Sequence, residues 1–257
     1  MKYLPEERQE SKVYDIHSHI LYGVDDGAVC IEESVEMAEQ AAANGIKAII
    51  ATPHYIEGLY VSDYENNLCK LHKLRRELDK AGIDMDVYLG NEVFITPELP
   101  KLVKSRKIAA LNNSRYILIE LPFFDMPLYT EKVLFNLEIE GYKAVLAHPE
   151  RNAYIINDLN ILYRFIKQGA LVQMNISSIE GLYGKRVKRT ALLMLKHYMV
   201  HFVGTDTHSP GKRQTGVDDI IEKLKVNYPD QAHSLLCDNP QSIIRNESIT
   251  ITEPISM

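Results

Sequence analysis

The chain has 257 residues, of which 46% are apolar and 25% charged, a balance that excludes a disordered or fibrous protein. Its net charge of −6 disfavours nucleic acid as a partner unless the basic residues gather on one face. Its three scattered cysteines indicate neither a disulfide framework nor a thiolate zinc site. No secretory signal and no membrane-spanning run is recognisable, so we expect a cytoplasmic protein without membrane insertion.

Short apolar runs alternate with longer segments of helical period, which indicates repeated βα units and a parallel sheet. Strands are predicted at residues 13–17, 46–52, 86–90, 116–120, 143–148, 170–175 and 200–205. Helices are predicted at residues 31–44, 62–80, 129–140, 159–168, 185–197 and 218–228, followed by a helical segment at 238–246. Strands recur about every 30 residues, the length of a βα repeat, which predicts an α/β barrel of seven units in a single domain.

The two ends of the chain are expected to lie outside this barrel. Residues 1–12 are predicted to be an N-terminal extension and residues 246–257 a polar C-terminal tail at the surface. The barrel itself is predicted to occupy residues 13–245.

Side chains that can bind metal follow six of the seven predicted strands. The first strand ends in Asp15-Ile16-His17-Ser18-His19, where alternate residues point the same way, so His17 and His19 can address one ion. In a barrel of parallel strands, the C-terminal strand ends converge on one face. The candidate ligands that this placement brings together are His17, His19, Asp26, His54, Glu92, Glu120, His148, Asp206 and His208.

Any one of these histidines taken alone is more simply explained as a packed or solvent-exposed residue. The coincidence of five His, two Glu and two Asp at the same end of successive strands favours a metal site instead. Four other histidines serve as an internal comparison, because they are predicted inside helices, at the opposite strand end or in the C-terminal region. We predict no site role for His72, His197, His201 and His233.

The composition of the cluster predicts its chemistry. Imidazole and carboxylate ligands without thiolate suit divalent Mn, Fe, Zn or Co, and nine ligands predict two to three ions. Clustered ions lower the pKa of a shared water and neutralise a transferring phosphoryl group, which favours phosphoester hydrolysis. Arg151 follows His148 by three residues, and its planar fork suits two phosphate oxygens, although a loop arginine is more usually only solvated. Glu150 is expected to be structural.

The segments DIHSHILYGVDDG, ATPH, GNEV, YILIELP, AHPERN and VGTDTH together resemble the polymerase and histidinol phosphatase (PHP) superfamily. They are most similar to its bacterial manganese-dependent protein-tyrosine phosphatases of the CpsB/YwqE type, over residues 13–245. This resemblance implies a distorted (β/α)7 TIM-like barrel, the PHP fold, with a trinuclear centre in which Mn is the favoured metal. It also implies a substrate, namely phosphotyrosine on the tail of a bacterial tyrosine kinase that controls capsule or exopolysaccharide synthesis.

The resemblance further implies a role for each candidate residue. One ion is expected on His17, His19, Glu92 and Asp206, a second on Glu92, Glu120 and His148, and a third on Asp26, His54 and His208. Arg151 matches the arginine that orients the phosphate. We expect metal-activated water to attack phosphorus directly, without a phosphoenzyme, and Asp206 or His208 to protonate the leaving phenolate.

Several alternatives stay open at this stage. A PHP-type small-molecule phosphatase, similar to histidinol-phosphate phosphatase, a phosphodiesterase or a non-catalytic metal-binding protein would present the same ligands. The spacing from Cys69 to Arg75 also fits the Cys-x5-Arg of cysteine-dependent phosphatases, but leucines at helical spacing predict an amphipathic helix there. Five aromatic residues are expected in loops near the site, either to stack on a phenyl ring or to cover the barrel: Tyr22, Tyr55, Tyr60, Phe123 and Phe124.

Overall fold

The computed structural model of the protein describes residues 13–211 and 217–257. The N-terminal extension expected at residues 1–12 therefore lies outside the described residues. Nine strand segments pair in parallel throughout. In chain order they are β1 (Val13–Ser18), β2 (Ile46–Ala51), β3 (His54–Tyr55), β4 (Asp86–Leu89), β5 (Glu92–Phe94), β6 (Tyr116–Glu120), β7 (Lys143–Ala147), β8 (Leu171–Asn175) and β9 (Phe202–Gly204).

The nine segments make seven barrel strands, because two of the strands are interrupted. β2 stops before Thr52-Pro53 and resumes as β3, and β4 stops before Gly90-Asn91 and resumes as β5. Proline has no N–H to donate to a ladder, and glycine weakens a strand interior, so both interruptions have a local cause. The predicted strands at 46–52 and 86–90 were therefore correct at their starts but missed their continuations toward the site.

These interruptions divide the hydrogen bonding into two sheets, ordered β1-β2-β4 and β3-β5-β6-β7-β8-β9. The first and last strands then meet. The backbone N–H of Asp206 donates to the carbonyl of His17 at 2.8 Å, and that of His19 donates to Thr207 at 2.8 Å. The fold is thus a single-domain α/β barrel with seven distorted strands, as the sequence predicts.

The long helices begin and end within two residues of their predicted bounds. They are α1 (Ile31–Ala43), α2 (Tyr64–Ala81), α4 (Thr130–Ile139), α6 (Asn160–Lys167), α8 (Lys185–Lys196) and α9 (Val217–Asn227), with α11 (Asn239–Arg245) near the C-terminus. Four short helices were not predicted: α3 (Leu99–Lys104), α5 (Ala153–Asn157), α7 (Ile176–Glu180) and α10 (Pro229–His233). Segments of five or six residues are too short to display a helical period.

The inward-facing residues of β6 show that the barrel interior has an apolar end and a polar end. Tyr116 and Leu118 face an interior apolar cluster, and Glu120, next on the same face, belongs to the polar end. Ile243 of α11 joins the apolar cluster, so the barrel is closed by apolar packing at the N-terminal strand ends. The opposite end, where the strands finish, is left for polar side chains.

The last residues of the chain lie on the surface. The backbone N–H of Ile255 donates to the carbonyl of His197 at 2.9 Å, and that of Met257 donates to the Asn160 side chain at 3.1 Å. Among the described residues, no helix combines the length and the apolar character needed to cross a membrane.

Candidate metal centre

The site is built where β1 lies beside the end of β9. The Nε2 atoms of His17 and His19 lie 3.3 Å apart, and each is 3.5 Å from Oδ1 of Asp206. Asp206 has a φ of 53°, in the left-handed region, as does His148 with a φ of 31°. Such backbone conformations are costly for residues with a Cβ and cluster at functional sites.

Glu92 occupies the centre of the cluster. Its Oε2 atom lies 3.3 Å from Nε2 of His17, 3.3 Å from Nε2 of His19 and 3.0 Å from Nδ1 of His54. The other oxygen, Oε1, is 2.9 Å from Nε2 of His148. One fully buried carboxylate therefore faces four imidazoles, the position of a bridging ligand.

The remaining candidates extend the cluster in two directions. Glu120 lies on one side, with its Oε1 3.8 Å from Nε2 of His148. On the other side, Oδ1 of Asp26 is 3.6 Å from Nε2 of both His54 and His208. Each of the nine candidate ligands named from the sequence is thus in or beside this cluster.

Three groups of side chains offer ligand atoms within 4.8 Å of one another. They are His19, Asp26, His54 and His208; His17, His19 and Glu92; and His54, Glu92 and Glu120. The groups overlap with the three sets that the resemblance implies, and His19, His54 and Glu92 each belong to two of the groups. Of these three, Glu92 has two carboxylate oxygens and can therefore bridge a pair of closely spaced ions.

A second layer of side chains, not predicted from the sequence, orients the ligands. Oδ2 of Asp25 lies 2.7 Å from Nδ1 of His19 and also accepts the backbone N–H of His54 at 2.9 Å. Fixing the far nitrogen of a histidine in this way sets the ring orientation and tautomer of a metal ligand. In the sequence, the adjacent acidic pair Asp25-Asp26 in GVDDG is the signal for this orienting residue, but the predicted site residues include Asp26 alone.

β8, the strand that supplies no candidate ligand, supplies two of these orienting groups. Gln173 Oε1 lies 2.9 Å from Nδ1 of His17, and Asn175 Nδ2 donates to Oδ2 of Asp206 at 2.7 Å. Their i, i+2 spacing places both on the inner face of the strand. Glu150 is buried but turned elsewhere, accepting from the Asn175 backbone and the Ser178 hydroxyl.

The electrostatics of the cluster favour a bound cation. Burial by itself would lower the pKa of His17, but the carboxylates of Glu92 and Asp206 outweigh it and raise the pKa to about 9. Burial would raise the pKa of Glu92, yet the surrounding histidines hold it well below its usual range. Burial, followed by the charge of Glu92, raises the pKa of Glu120. The raised pKa values of His17 and Glu120 indicate a negative potential at these two positions, which attracts positive charge.

The donor atoms also fit metal ions in their spacing. Two ligands each about 2.1 Å from one ion, at angles between 90° and tetrahedral, lie about 3.0–3.4 Å apart. The nitrogen-to-oxygen and nitrogen-to-nitrogen separations of the candidate ligands around Glu92 and Asp206 are 2.9–3.5 Å. Within the described residues, the buried Oε2 of Glu92 has no well-formed hydrogen bond, which suits an atom reserved for an ion.

Arg151 stands at the mouth of the site. Its guanidinium lies between the rings of Phe123 and Tyr183, with its carbon 4.4 Å from each ring centre, and donates to Oδ2 of Asp206 at 3.1 Å. Stacking on two rings holds the planar fork in one orientation. The arginine opens onto a cavity of about 390 Å³ that also exposes His54, Glu120 and His208.

The five aromatic residues expected near the site separate into different roles. Tyr60 lies against the His54 ring at 5.8 Å, and it lines the cavity together with Phe123. Tyr55 is buried in the apolar core, Phe124 is 87% exposed, and Tyr22 lies beneath Lys70. Only Tyr60 and Phe123 are therefore placed to meet a ligand in the cavity.

The features predicted to lie outside the site do so. His201 is buried at the opposite strand end, His72 is exposed on α2, and His197 and His233 lie near the C-terminal segment. Cys69 is an exposed residue in the middle of α2. A helix interior cannot form the phosphate-binding loop of a cysteine-dependent phosphatase.

Comparison with known proteins identifies relatives over almost the whole chain. The family model described as capsular polysaccharide synthesis, CpsB/CapC, matches residues 13–245. Tyrosine-protein phosphatase YwqE of Bacillus subtilis is 34% identical over 235 residues, 91% of this chain and 92% of the relative. Tyrosine-protein phosphatase CpsB of Streptococcus agalactiae is 28% identical over 241 residues, 91% of this chain and 99% of the relative.

A solved structure gives the same result for the fold. It comes from work on YwqE of Bacillus subtilis and CpsB of Streptococcus pneumoniae, which are described as unique metal-dependent tyrosine phosphatases. It superposes with a TM-score of 0.90 at 34% identity, covering 95% of this chain and 99% of the other.

Proposed function

This chain belongs to the CpsB/CapC family of capsular polysaccharide synthesis, and we propose that it is a metal-dependent protein-tyrosine phosphatase. The observation that carries the proposal is one arrangement of side chains. A set of His, Glu and Asp ligands converges at the carboxyl end of the barrel, and Arg151 stands beside it at the mouth of the cavity.

We assign the metal-binding role to the nine clustered side chains: His17, His19, Asp26, His54, Glu92, Glu120, His148, Asp206 and His208. Two to three divalent ions, with Mn favoured, would fit a ligand set of imidazoles and carboxylates without thiolate. Bound there, such ions would lower the pKa of a water and offset the charge on phosphoryl oxygens.

Arg151 is assigned to phosphate binding and orientation. Its contact with Asp206 occupies one nitrogen of the guanidinium, so other N–H groups can meet phosphoryl oxygens. Because the fork is stacked between two rings, little side-chain freedom is lost when a phosphate binds. The equatorial oxygens gain charge in the transition state, where a positioned cation contributes most.

His208 is the better placed of the two candidate proton donors. It lines the cavity and its side chain is 17% exposed, whereas Asp206 is 2% exposed and engaged by Asn175 and Arg151. We propose that with two ions bound Nε2 of His208 carries the proton for the leaving phenolate, whereas a third ion would take this nitrogen as a ligand; Asp206 acts as a ligand in either case. A phenol with a pKa near 10 needs only modest help of this kind.

The substrate that we propose is phosphotyrosine on a protein, in the tail of a bacterial tyrosine kinase. Tyr60 and Phe123 lie at the cavity wall, where they can stack on the phenyl ring of the substrate. The exposed thiols of Cys30 and Cys69 suit a reducing compartment, and we propose the cytoplasm as the place of action.

The test is turnover of a phosphotyrosyl peptide beside histidinol phosphate, before and after chelation. The proposal expects hydrolysis of the peptide at a kcat/KM at least about a hundredfold above that of histidinol phosphate, and loss of activity with chelator. Cys69→Ser should behave as the wild type, because that thiol lies on a helix away from the cluster. A chelator-resistant enzyme that Cys69→Ser inactivates would contradict the metal mechanism.

A further inference from the structure

A second cavity, of about 520 Å³, lies outside the catalytic centre along α8. Four cationic side chains surround it, and its floor is apolar. The cations are Lys185, Lys188, Arg189 and Lys196, and the floor is formed by Leu192, Leu193 and Tyr228. We refer to these seven residues as the basic groove.

The charge on α8 is unusual for its position. Its sequence begins KRVKR, with no acidic residue in the first turn. Cations near a helix N-terminus oppose the helix dipole, and Lys185 repels Arg189 at the i, i+4 spacing. In the parts of the chain that the structure describes, none of the four groove cations forms an ion pair with a carboxylate, although nearby Lys223 does so with Glu180. Lys185, Lys188 and Arg189 therefore do not serve helix stability, whereas Lys196 lies in the last turn, where a cation favours the helix dipole.

The helix that carries the basic groove begins close to the catalytic cavity, because α8 packs against the segment that contains Arg151. Tyr183, which stacks on Arg151, precedes Lys185 by two residues. The N-terminal end of α8, with Lys185, is therefore the end nearest to Arg151, and the groove follows the helix away from that end. A helix of 12 residues is about 18 Å long, which about five residues of an extended peptide would cover.

We propose that the basic groove binds an acidic segment of the substrate protein, on one side of the phosphotyrosine that enters the catalytic cavity. This inference rests on the proposed phosphatase function. Carboxylates of the segment pair with the four cations, and its apolar side chains lie on Leu192, Leu193 and Tyr228. The protein as a whole carries a net charge of −6, so its surface outside the basic groove repels such a segment and favours its binding along α8.

The inference is tested with two phosphotyrosyl peptides that differ only in five flanking residues, which are Glu in one and Gln in the other. Each flank is placed N-terminal and then C-terminal to the phosphotyrosine. In one of the two orientations the wild type should show about a tenfold higher kcat/KM for the Glu peptide at low ionic strength, with the advantage fading at high salt.

The diagnostic variant is Lys185→Glu with Arg189→Glu. It should remove or reverse the preference for the Glu peptide while leaving turnover of the Gln peptide and of free phosphotyrosine unchanged. Arg76→Glu with Lys80→Glu is the matched control, because it reverses two cations at the same i, i+4 spacing on α2. This control should keep the preference of the wild type.

The outcomes separate the two proposals. If the enzyme hydrolyses neither peptide nor free phosphotyrosine, the proposed function fails, and the groove is then tested by binding of a labelled unphosphorylated Glu peptide to the wild type and the α8 variant. Equal kcat/KM for the Glu and Gln peptides in both orientations overturns the groove inference alone. Binding to phosphatidylglycerol vesicles that the α8 variant loses, without any peptide preference, also overturns it and assigns the groove to lipid.

Discussion

Two buried histidines at opposite ends of the barrel have pKa values shifted in opposite directions. His17, at the carboxyl end, has its pKa raised to about 9 because neighbouring carboxylates outweigh the effect of burial. His201, at the amino end, has no such neighbours among the residues that the structure describes, and burial lowers its pKa to about 4. The difference shows that the groups around a buried histidine, and not its burial, distinguish a cation site from a core position.

The largest effect is expected from removing the central negative charge. Glu92→Gln keeps the size of the side chain but leaves four imidazoles without their shared carboxylate, so metal should be lost and kcat should fall by about a thousandfold. Glu150→Gln is the matched control, since Glu150 is equally buried but faces Asn175 and Ser178. Metal content is measured by elemental analysis. Equal metal content in the two variants would contradict the conclusion that the carboxylate facing His17 makes this end of the barrel a cation site.

A smaller loss is expected from Arg151→Lys. The charge remains, but the planar fork and its stacking between Phe123 and Tyr183 are gone, so kcat/KM for a phosphotyrosyl peptide should fall by about a hundredfold. Metal content should not change. Arg186→Lys, at an exposed arginine that hydrogen-bonds Asn157, should have no effect on turnover. Wild-type kinetics for Arg151→Lys would remove the arginine from the phosphate site.

Asp25→Asn tests whether the side chains that orient the ligands contribute to the affinity of the site for metal. The Asn amide can still hold the His19 ring, but the negative charge of the Asp25 carboxylate is lost. The affinity for divalent metal should therefore fall by about ten- to a hundredfold. The affinity is measured by titrating divalent metal into metal-free protein in a calorimeter. Asp63→Asn, at the N-cap of α2 where either residue can accept the hydrogen bond, should bind metal like the wild type. Unchanged affinity in Asp25→Asn would show that Asp25 has no orienting role.

The smallest effect concerns His201 and stability. In the folded protein its pKa is about 4 against 6.5 in the unfolded chain, so the unfolded state binds more protons between these values. The free energy of unfolding should therefore fall as pH decreases from 6.5 toward 4, by about 3 kcal/mol in total. Above pH 6.5 this residue should contribute no pH dependence.

His201→Asn sharpens this test, because its side-chain oxygen can accept the Val172 N–H that Nδ1 accepts in the wild type. Urea denaturation of metal-free protein at pH 7.5 and 5.0 should give a smaller difference between the two pH values for the variant. The same pH dependence in both proteins would mean that His201 titrates normally in the fold.

The sequence predicts the fold well because each strand and long helix of the βα repeat has its own pattern of apolar residues and glycines. Alternating apolar runs and glycine-terminated helices mark the strands and long helices, as with β6 and α2. The short strands β3 and β5 were missed, since two or three residues after Pro53 or Gly90 carry no period. Closure of the barrel through Asp206 and His17 joins residues far apart in the chain, and no local pattern records such a pairing.

Some residues of the site can likewise be recognised in the sequence, and others cannot. Histidines and acids at strand ends are visible in the sequence, because their residue type is rare and their position is periodic. Gln173 and Asn175 were not recognised, because neutral amides in a strand resemble ordinary polar residues until their contacts with His17 and Asp206 are seen. The stacking of Tyr183 on Arg151 was equally unrecognisable, since Tyr183 lies in the loop after α7 and far along the chain.

The central claim is that side chains from separate strands converge to hold several divalent cations for phosphotyrosine hydrolysis. Elemental analysis of protein purified without added metal, beside peptide turnover by the same sample, tests it most directly. The account predicts more than one equivalent of transition metal in the wild type, with both the metal and the turnover lost in His17→Ala. Full turnover by a sample that contains no divalent metal would contradict it.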